Sequence, residues 1–314
     1  MGDIPFISIC IPAYSRKENL KRLLDSIETQ NFRHFEVVIT DDSPDDELRN
    51  IIEYHSLGSK IRYFKNEKTL GSPENWNRGL KMARAEWIKI MHDDDWFTGP
   101  ESLHIFTETI KKSKSAFYFS AYTNVYPEGH LKTVSLRSDR LSVLSRFPEI
   151  LFVSNQIGPP STVLFRKEAS IFFDNRMKWL VDIDFYIRYL KGFGPPEYIP
   201  AKLISIGIDK SQITNASFGN PGVEIPERFM LGEKLDERSI KHLSIFDAWW
   251  RFVRNMKIRN VSQIRQSGYQ NVIPAFIPPM IKMQNKISAG LLRIGFISKM
   301  CMFLCYLKVR NYHD

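Results

Sequence analysis

Short apolar segments alternate with helical patterns along the first hundred residues of this chain. The predicted strands are Phe6–Ile11, Phe35–Ile39, Ile61–Phe64 and Trp87–Met91. The first helical pattern opens at Ser15, which pairs with Glu18 as a capping box, and apolar residues then recur at helical spacing through Ile27. Alternation of this kind predicts an α/β fold with a doubly wound, mostly parallel sheet flanked by helices.

The alternation weakens beyond Pro100. Further strands are predicted at Ala116–Tyr122, Ser161–Phe165 and Tyr198–Ile208, and further helices at Leu141–Phe152 and Leu180–Leu190. The sheet is therefore expected to be mixed in its second half. From Pro226 onward the pattern is helical, which predicts a C-terminal helical appendage.

Polar clusters follow three of the predicted strands at the point where each strand ends. They are Pro12-Ala13-Tyr14, Asp41-Asp42-Ser43 and Asp93-Asp94-Asp95. Ligands of such sheets bind beyond the carboxyl ends of the strands, so the three clusters are expected to converge in one crevice. No glycine-rich phosphate loop follows the first strand, which argues against a dinucleotide or P-loop site.

The acidic run after the fourth strand predicts a cation site. Crowded carboxylates repel one another, and hard oxygen ligands suit Mg²⁺ or Mn²⁺, which in turn suit a diphosphate. The alternative is a solvated acidic turn before a helix that begins near Pro100. The strand-end position that this run shares with the other clusters favours the cation site.

The net charge of +9 is concentrated near the C-terminus. After Asp247 the sequence holds eleven lysines and arginines and one acid, Asp314, so that segment carries +10 and the preceding residues −1. This asymmetry indicates an anionic surface as a partner of the appendage. Three cysteines form no disulfide or zinc pattern, and no signal peptide precedes Phe6, so a reducing cytoplasm is expected.

Four motifs occur in a characteristic order and spacing: Ser8–Tyr14, Val37–Ser43, Asn66 to Gly79 with Gly71 and Asn77, and Met91–Trp96. Together they resemble the family-2 glycosyltransferases of the GT-A fold. The resemblance implies a catalytic domain over residues 1–225, with a nucleotide-sugar-binding half (1–100) and an acceptor-binding half (101–225). A basic helical region then covers residues 226–314.

The resemblance also implies roles for individual residues. The residues that would bind the nucleotide are Pro12, Tyr14, Asp41, Asp42, Asn77, Arg78, Asp93 and Asp94. Among them, Asp42 would accept a hydrogen bond from a pyrimidine imide. The metal, Mn²⁺ or Mg²⁺, would be held by Asp94 and Asp95. Two positions in the nucleotide-sugar-binding half depart from the family pattern. His92 replaces the first acid of the acidic motif, and Trp76 replaces an arginine.

By the same resemblance, the acceptor half should contain a catalytic carboxylate on a helix. The family's Glu-Asp pair appears here as Val181-Asp182, and Asp184 follows two residues later. On a helix, Asp182 and Asp184 point about 200° apart, and Asp184 lies four residues before Arg188, so it is expected to form a surface ion pair. Asp182 is therefore the predicted general base.

The implied function is an inverting, metal-dependent glycosyltransferase in cell-surface polysaccharide synthesis. It would transfer a sugar from a nucleotide-diphosphate donor, a UDP-sugar by preference, to a glycan or lipid-linked acceptor. Nucleic acid is not an expected partner. The alternatives are a nucleotidyltransferase, which should show a basic glycine-rich loop after its first strand, and a non-catalytic sugar-binding or membrane-binding module.

The appendage is expected to lie on a membrane surface rather than to cross it. Its longest uncharged stretch is shorter than the ~20 residues that a membrane-spanning helix needs. On one continuous helix, Lys282, Lys286, Arg293 and Lys308 would share a face suited to an anionic interface. This predicts a peripheral position on the inner face of the cell membrane. The alternative is a basic helix packed on the catalytic domain or on a partner chain.

Overall fold

Nine strands form one mixed sheet in the part of the chain that the computed structural model describes, residues 4–208 and 219–310. The strands are β1 (Ile7–Ala13), β2 (Phe35–Asp41), β3 (Ile61–Lys65), β4 (Trp87–Ile90), β5 (Asp95–Phe97), β6 (Phe117–Val125), β7 (Leu131–Val134), β8 (Val163–Arg166) and β9 (Glu197–Gly207). Eight of them lie in the order β3-β2-β1-β4-β8-β6-β9-β5, and β7 pairs with β6.

Parallel pairing is concentrated where the sequence alternates most regularly. β1 pairs in parallel with β2 and β4, and β2 with β3. β8 then runs antiparallel between β4 and β6, while β9 pairs in parallel with β6 and antiparallel with β5. The predicted mixed sheet with flanking helices is confirmed. β5 and β7 were not predicted, because β5 has only three residues and β7 is a mostly exposed strand without an apolar run.

Six helices accompany the described strands: α1 (Lys17–Glu28), α2 (Glu47–Glu53), α3 (Glu74–Met82), α4 (Ser102–Lys112), α5 (Ser138–Arg146) and α6 (Val181–Phe193). In α1 the apolar residues at helical spacing are all buried against the sheet: Leu20, Leu23, Leu24 and Ile27. Their spacing is what lets one face of the helix cover the core.

Two predicted local features are wrong. Ser15 does not cap α1, because its φ is +52° and its N–H donates to the Ser43 hydroxyl at 2.8 Å; the helix begins at Lys17. Ser15 instead joins the ends of β1 and β2. The single helix predicted over Leu141–Phe152 is divided into α5 and a short 3₁₀ turn, Pro148–Phe152, since proline disfavours a helical conformation at the residue before it.

The chain divides into two compact units. The sheet unit comprises the described residues 4–148 and 155–208, and the helical unit comprises 149–154 and 219–310. Residues 209–218, which belong to the predicted acceptor-binding half, lie outside the described residues. The helix Pro221–Glu233 runs across the predicted boundary at residues 225 and 226, and that division of domains stays a prediction.

The helical unit contains α7 (Pro221–Glu233), α8 (Glu237–Ile240), α9 (Leu243–Asn255), α10 (Val261–Gln266), α11 (Ile277–Asn285), α12 (Ala289–Arg293) and α13 (Gly295–Arg310). Trp249 and Trp250 are buried in its core. The predicted single basic face is wrong, because Lys282, Arg293 and Lys308 lie on three different helices. Among the described residues no helix combines the length and the apolar character that a membrane crossing requires.

Candidate active site

The carboxyl ends of β1, β2 and β4 meet at one edge of the sheet. The Asp42 N–H donates to the Ala13 carbonyl at 3.0 Å, and the Met91 N–H donates to the Cys10 carbonyl at 2.9 Å. The three polar clusters therefore lie side by side, since parallel strands in register end together. Within this crevice the individual aspartates have very different surroundings.

Asp41 and Asp42 are buried and bonded to the protein itself. Asp41 accepts hydrogen bonds from the Tyr63 hydroxyl (2.6 Å), Lys65 Nζ (3.1 Å) and the Ser43 N–H (2.8 Å). Asp42 accepts from the N–H groups of Leu70 and Gly71, at 2.8 and 2.7 Å, and from the Asn66 amide at 2.5 Å. A carboxylate has about four acceptor sites, so Asp42 retains about one for a ligand.

Asn77 and Arg78, which are neighbours on α3, also have different surroundings. The Asn77 side chain is buried and exchanges two hydrogen bonds of 2.9 Å with the backbone of Phe173, which occupies both ends of its amide. Arg78 is half-buried and donates to the side-chain amide oxygen of Asn66, beside Asp42. Arg78 is thus adjacent to the crevice, whereas Asn77 links α3 to the segment before α6.

The acidic run after β4 forms a different kind of cluster. One ligand atom from each of His92, Asp94 and Asp95 lies within 4.8 Å of the others. Nε2 of His92 is buried and has no hydrogen-bond partner among the described residues. Two carboxylates and an imidazole nitrogen make a donor set that suits a divalent cation, and an orphaned buried nitrogen indicates a missing partner.

Asp93 faces away from that triad toward the loop after β1. Its carboxylate accepts from the Tyr14 N–H at 3.3 Å and from Arg16 Nη1 at 3.4 Å, and Arg16 also contacts Asp94 Oδ2 at 2.9 Å. The Tyr14 ring itself is 53% exposed, and Pro12 is half-buried at the end of β1. These two side chains offer accessible apolar surface at the end of β1.

Burial and like charge act together on the acidic run. Burial, and next the charge of Asp94, raises the pKa of Asp93 to about 7 and raises the pKa of Asp95 well above its ordinary value. Burial lowers the pKa of His92 to about 4, so its ring is neutral near pH 7 and can offer a lone pair to a metal. A bound cation would relieve the repulsion between these carboxylates.

Ser161 and Lys89 support this cluster. Ser161 Oγ accepts from the His92 N–H at 2.9 Å and donates to the Asp95 carboxylate, whose Oδ1 also accepts from the Gly207 N–H at 3.2 Å. The fully buried Lys89, on β4, donates to the Ser161 carbonyl, and burial lowers its pKa to about 7. The position of Ser161 therefore sets those of both His92 and Asp95.

Gly207 must be glycine where β9 passes the acidic run. A Cβ at this position would lie 2.4 Å from the Asp94 carbonyl oxygen, which is backbone and cannot move aside freely. The same carbonyl accepts a hydrogen bond from Arg22 at 2.9 Å, and the Arg22 guanidinium stacks on Trp96 at 3.9 Å. These contacts fix the backbone of the candidate metal site.

The two departures from the family pattern at residues 76 and 92 contact each other. The rings of Trp76 and His92 lie 4.7 Å apart between centroids, and Trp76 also packs edge-on against Phe173 at 5.1 Å. Trp76 therefore does not offer a cation in place of the family's arginine. It restrains the His92 ring instead, since an aromatic neighbour limits the ring orientations that fit.

Asp182 lies in the first turn of α6, near the turn that carries Ser161. The Asn155 amide donates to Asp182 Oδ2 at 3.0 Å and to the Gly158 carbonyl at 3.1 Å. Tyr122 packs against Gly158, and its pKa is raised to about 12 by burial, then by the charges of Asp182 and Asp95. The pKa of Tyr122 thus responds to the charges of both the predicted base and the acidic run.

Asp184 occupies the opposite side of α6, as helical geometry predicts. Arg188 donates to Asp184 Oδ2 from Nε and Nη2, at 2.9 and 2.7 Å, so the predicted ion pair forms. The expectation of a surface pair is wrong, because the Asp184 side chain is fully buried. It is a structural pair that ties α6 to the Phe172 carbonyl through the same arginine.

Several residues around the site were missed from sequence: Arg16, Lys89, Tyr122, Asn155 and Ser161 in its bridging role. A lysine inside an otherwise apolar strand is a usable signal for a buried charge partner, and it points to Lys89. Tyr122 and Asn155 carry no local signal, because their roles arise from contacts with residues far along the chain.

A model of the family described as Glycosyl transferase family 2 matches residues 8–173, more than half of the chain. The chain belongs to this family. The matched residues include all three strand-end clusters, Trp76 and Ser161, and end before α6, so Asp182 lies outside the match. The role of Asp182 accordingly stays a prediction within this family member.

Family 2 relatives with sequence similarity include three bacterial proteins. An uncharacterized glycosyltransferase of Haemophilus influenzae is 26% identical over 203 residues, 63% of this chain and 65% of that protein. The amylovoran biosynthesis glycosyltransferase AmsB of Erwinia amylovora is 28% identical over 197 residues, which are 60% of this chain and 64% of that protein. GalNAc(5)-diNAcBac-PP-undecaprenol beta-1,3-glucosyltransferase of Campylobacter jejuni is 29% identical over 94 residues, which are 29% of this chain and 30% of that protein. The matches span less than two thirds of these relatives' own lengths.

Two solved structures resemble the fold. S. aureus TarS 1-349 in complex with UDP-GlcNAc has a TM-score of 0.58 and 16% identity, covering 89% of this chain and 87% of that one. The mannosyltransferase PcManGT from Pyrobaculum calidifontis, in complex with GDP-Man and Mn²⁺, has a TM-score of 0.57 and 13% identity, covering 98% and 86%. At these identities the likeness shows the GT-A fold alone.

Proposed function

We propose that this family 2 member transfers a sugar from a nucleotide-diphosphate donor to a hydroxyl of a glycan or lipid-linked saccharide, with inversion at the anomeric carbon. The observation that carries the proposal is the triad of His92, Asp94 and Asp95 at the carboxyl ends of parallel strands, where their ligand atoms lie within 4.8 Å of one another. A cation site at a strand-end crevice suits a diphosphate.

Asp94 and Asp95 would hold the divalent cation, and the unpaired Nε2 of His92 would be the third protein ligand. The cation would supply neutralisation of the charge that develops on the departing diphosphate. An imidazole nitrogen is a poor ligand for Mg²⁺ and a better one for Mn²⁺, so the site should prefer Mn²⁺. Trp76 would hold the imidazole ring in place through the tilted contact between the two rings.

The nucleotide would lie over β1 and β2. Pro12 and the exposed Tyr14 ring offer apolar surface to a base, and Asp42 retains about one acceptor site for an imide N–H. A uracil or thymine donates in that way, which favours a UDP-sugar. The neighbouring structures hold UDP-GlcNAc and GDP-Man, so the fold itself accommodates both pyrimidine and purine donors.

Asp182 would accept the proton of the acceptor hydroxyl as its oxygen attacks the anomeric carbon. In the same displacement the bond from that carbon to the diphosphate oxygen breaks, and the configuration inverts. Asn155 and the Ile183 N–H, at 3.0 and 2.8 Å, orient the carboxylate.

The acceptor class is proposed from the relatives' names. One relative is named GalNAc(5)-diNAcBac-PP-undecaprenol beta-1,3-glucosyltransferase, and another is named an amylovoran biosynthesis glycosyltransferase. A role in cell-surface polysaccharide synthesis, in the cytoplasm and peripheral on the inner face of the cell membrane, agrees with both. The basic appendage supports an anionic surface as a partner.

The test is donor hydrolysis and transfer with a panel of nucleotide sugars, in Mn²⁺, in Mg²⁺ and with chelator. Asp182→Asn should lower turnover by on the order of 10²-fold or more while calorimetry finds donor affinity nearly unchanged. Asp139→Asn, an exposed acid on α5, is the matched control and should keep full activity.

Two outcomes would count against the proposal. Donor binding that is unchanged by chelator would mean that the site does not use a cation. Full turnover in Asp182→Asn would mean that α6 does not supply the general base. Metal-dependent binding without turnover of any donor, with or without acceptor saccharides, would instead favour a non-catalytic sugar-binding module.

A further inference from the structure

The last described helix, α13, is attached to the helical unit by one face. Ser298, Met302 and Cys305 on that face are buried. Ser298 Oγ accepts from the Trp250 indole N–H at 3.0 Å and from Arg254 at 2.9 Å. Because these contacts fix the rotation of α13 about its axis, the opposite face is held toward the outside.

That opposite face is an apolar stripe. Phe296, Met300, Phe303, Leu304 and Leu307 are each between 41% and 80% exposed. At ~100° per residue they fall within an arc of about 100°, whose centre is roughly opposite that of the buried residues. Leu291 and Ile294, just before α13, are also about half exposed. An apolar patch of this kind on a folded chain marks an interaction surface.

Two lysines border the stripe. Lys299 and Lys308 are exposed, and on a helix of 3.6 residues per turn they lie roughly 90° to either side of the stripe's centre. A lysine in this position can keep its aliphatic stem on apolar surface while its ammonium reaches a charged boundary. Apolar side chains flanked on both sides by lysines are typical of helices that lie in the plane of a membrane interface.

We propose that α13 docks on an anionic lipid surface, with the stripe inserted among the upper acyl chains and Lys299 and Lys308 among the headgroups. Charge complementarity selects this occupant. The sequence has no acid between Asp247 and Asp314, so a second copy paired through the same face would set lysine against lysine. Anionic lipids instead attract each nearby lysine. The inference does not depend on the proposed transfer reaction.

The experiment is cosedimentation of the full chain with vesicles. Binding is expected to vesicles that contain phosphatidylglycerol, to weaken with added salt, and to be at least about tenfold weaker to pure phosphatidylcholine. Phe303→Glu combined with Leu307→Glu should abolish it, and Lys299→Gln combined with Lys308→Gln should weaken it by about fivefold per lysine.

The matched control is Tyr54→Glu combined with Val272→Glu. It changes two exposed apolar residues and the same net charge away from α13, and it should bind as the wild type does. Thermal unfolding checks that every variant is folded. A Phe303→Ser and Leu307→Ser variant adds no charge and should also lose binding, which separates the apolar contribution from repulsion.

Unchanged binding by the stripe variants, or an equal loss in the control, would overturn the proposal. So would equal binding to the two kinds of vesicle. Light scattering completes the test: a dimer that the stripe variants dissociate, in a chain that ignores vesicles, would make this face a self-association surface instead.

Discussion

Two pairs of neighbouring aspartates lie at the ends of β2 and β4, the strands that flank β1, and the protein treats them in opposite ways. Asp41 and Asp42 accept hydrogen bonds from backbone and side-chain donors of β3 and the segment 66–71. Asp94 and Asp95 instead lie close to each other and to an unpaired His92 nitrogen. The first pair stabilises a loop, and the second is the pair that we propose holds a cation.

The comparison teaches that strand-end position does not by itself define a role. Both pairs are acidic, buried and at the same edge of the sheet. What separates them is the number of donors that the rest of the fold supplies. Where donors are supplied, the carboxylates contribute to stability; where repulsion persists, burial raises the pKa of Asp93 and Asp95 and the fold loses stability to keep the site.

The largest expected effect is at Asp95, where a substitution should abolish activity without lowering the free energy of unfolding. Asp95→Asn keeps the shape and removes a proposed metal ligand, so metal-dependent nucleotide binding should be lost and transfer should fall by on the order of 10²-fold or more. The free energy of unfolding should stay the same or rise, because a repelling buried carboxylate is gone. Calorimetry with and without chelator, and urea denaturation, measure the two quantities. A strongly destabilised variant that still binds Mn²⁺ would reverse the assignment.

The opposite pattern is expected at Asp42. Asp42→Ala leaves the N–H groups of Leu70 and Gly71 and the Asn66 amide without their acceptor, which should cost about 2 to 4 kcal/mol of unfolding free energy. Mn²⁺ binding at the acidic run should persist. Asp45→Ala, in the exposed loop after β2, is the control. If Asp42→Ala unfolds like the wild type and only loses uridine nucleotides, Asp42 is a base-binding residue and not a support of the loop.

Much of this arrangement is predictable from sequence. The alternation of apolar and helical segments predicts the parallel strands, and hence that Pro12, Asp42 and Asp94 should meet at one edge. The 3.6-residue period predicts the buried face of α1 and the opposition of Asp182 and Asp184. These are local patterns whose consequences for the fold are almost fixed by geometry.

The donors of Asp42 are not predictable in the same way. They come from residues 66–71, more than twenty positions later, and depend on how that loop returns to β2. The bridging role of Ser161 depends on β8 lying beside β4, an antiparallel pair between distant segments. The apolar stripe of α13 was also missed, because Lys282, Lys286, Arg293 and Lys308 were expected on one continuous helix, which the structure divides into α11, α12 and α13.

A smaller effect is expected at Lys89, the buried cation near the second pair. Its pKa in the folded chain is about 7, below the ordinary 10.5, so between these values the unfolded chain binds a proton that the folded chain does not. Stability contributed through this group therefore rises with pH above 7, by about 2 kcal/mol between pH 7 and 9. Lys89→Met should remove that rise, as urea denaturation across this range would measure. An identical pH dependence in both chains would mean that Lys89 keeps its proton.

The smallest effect, and the finest test of the comparison, concerns Arg16. Its Nη1 contacts Asp94 at 2.9 Å and Asp93 at 3.4 Å, so the guanidinium partly neutralises the acidic run from the loop after β1. The Arg16 side chain is 31% exposed, and solvent screening limits such pairs to about 1 kcal/mol or less.

Arg16→Gln removes a cation that would compete with the proposed metal for Asp94. Mn²⁺ affinity measured without nucleotide should therefore rise, by about fivefold at most. Lys65→Gln is the parallel change at the first pair, since Lys65 Nζ lies 3.1 Å from Asp41, and it should leave Mn²⁺ affinity unchanged. Calorimetric titration of the two variants with Mn²⁺ distinguishes them. A fall in affinity for Arg16→Gln would mean that the arginine holds the Asp94 carboxylate in its metal-binding position, and that its positioning effect outweighs its charge.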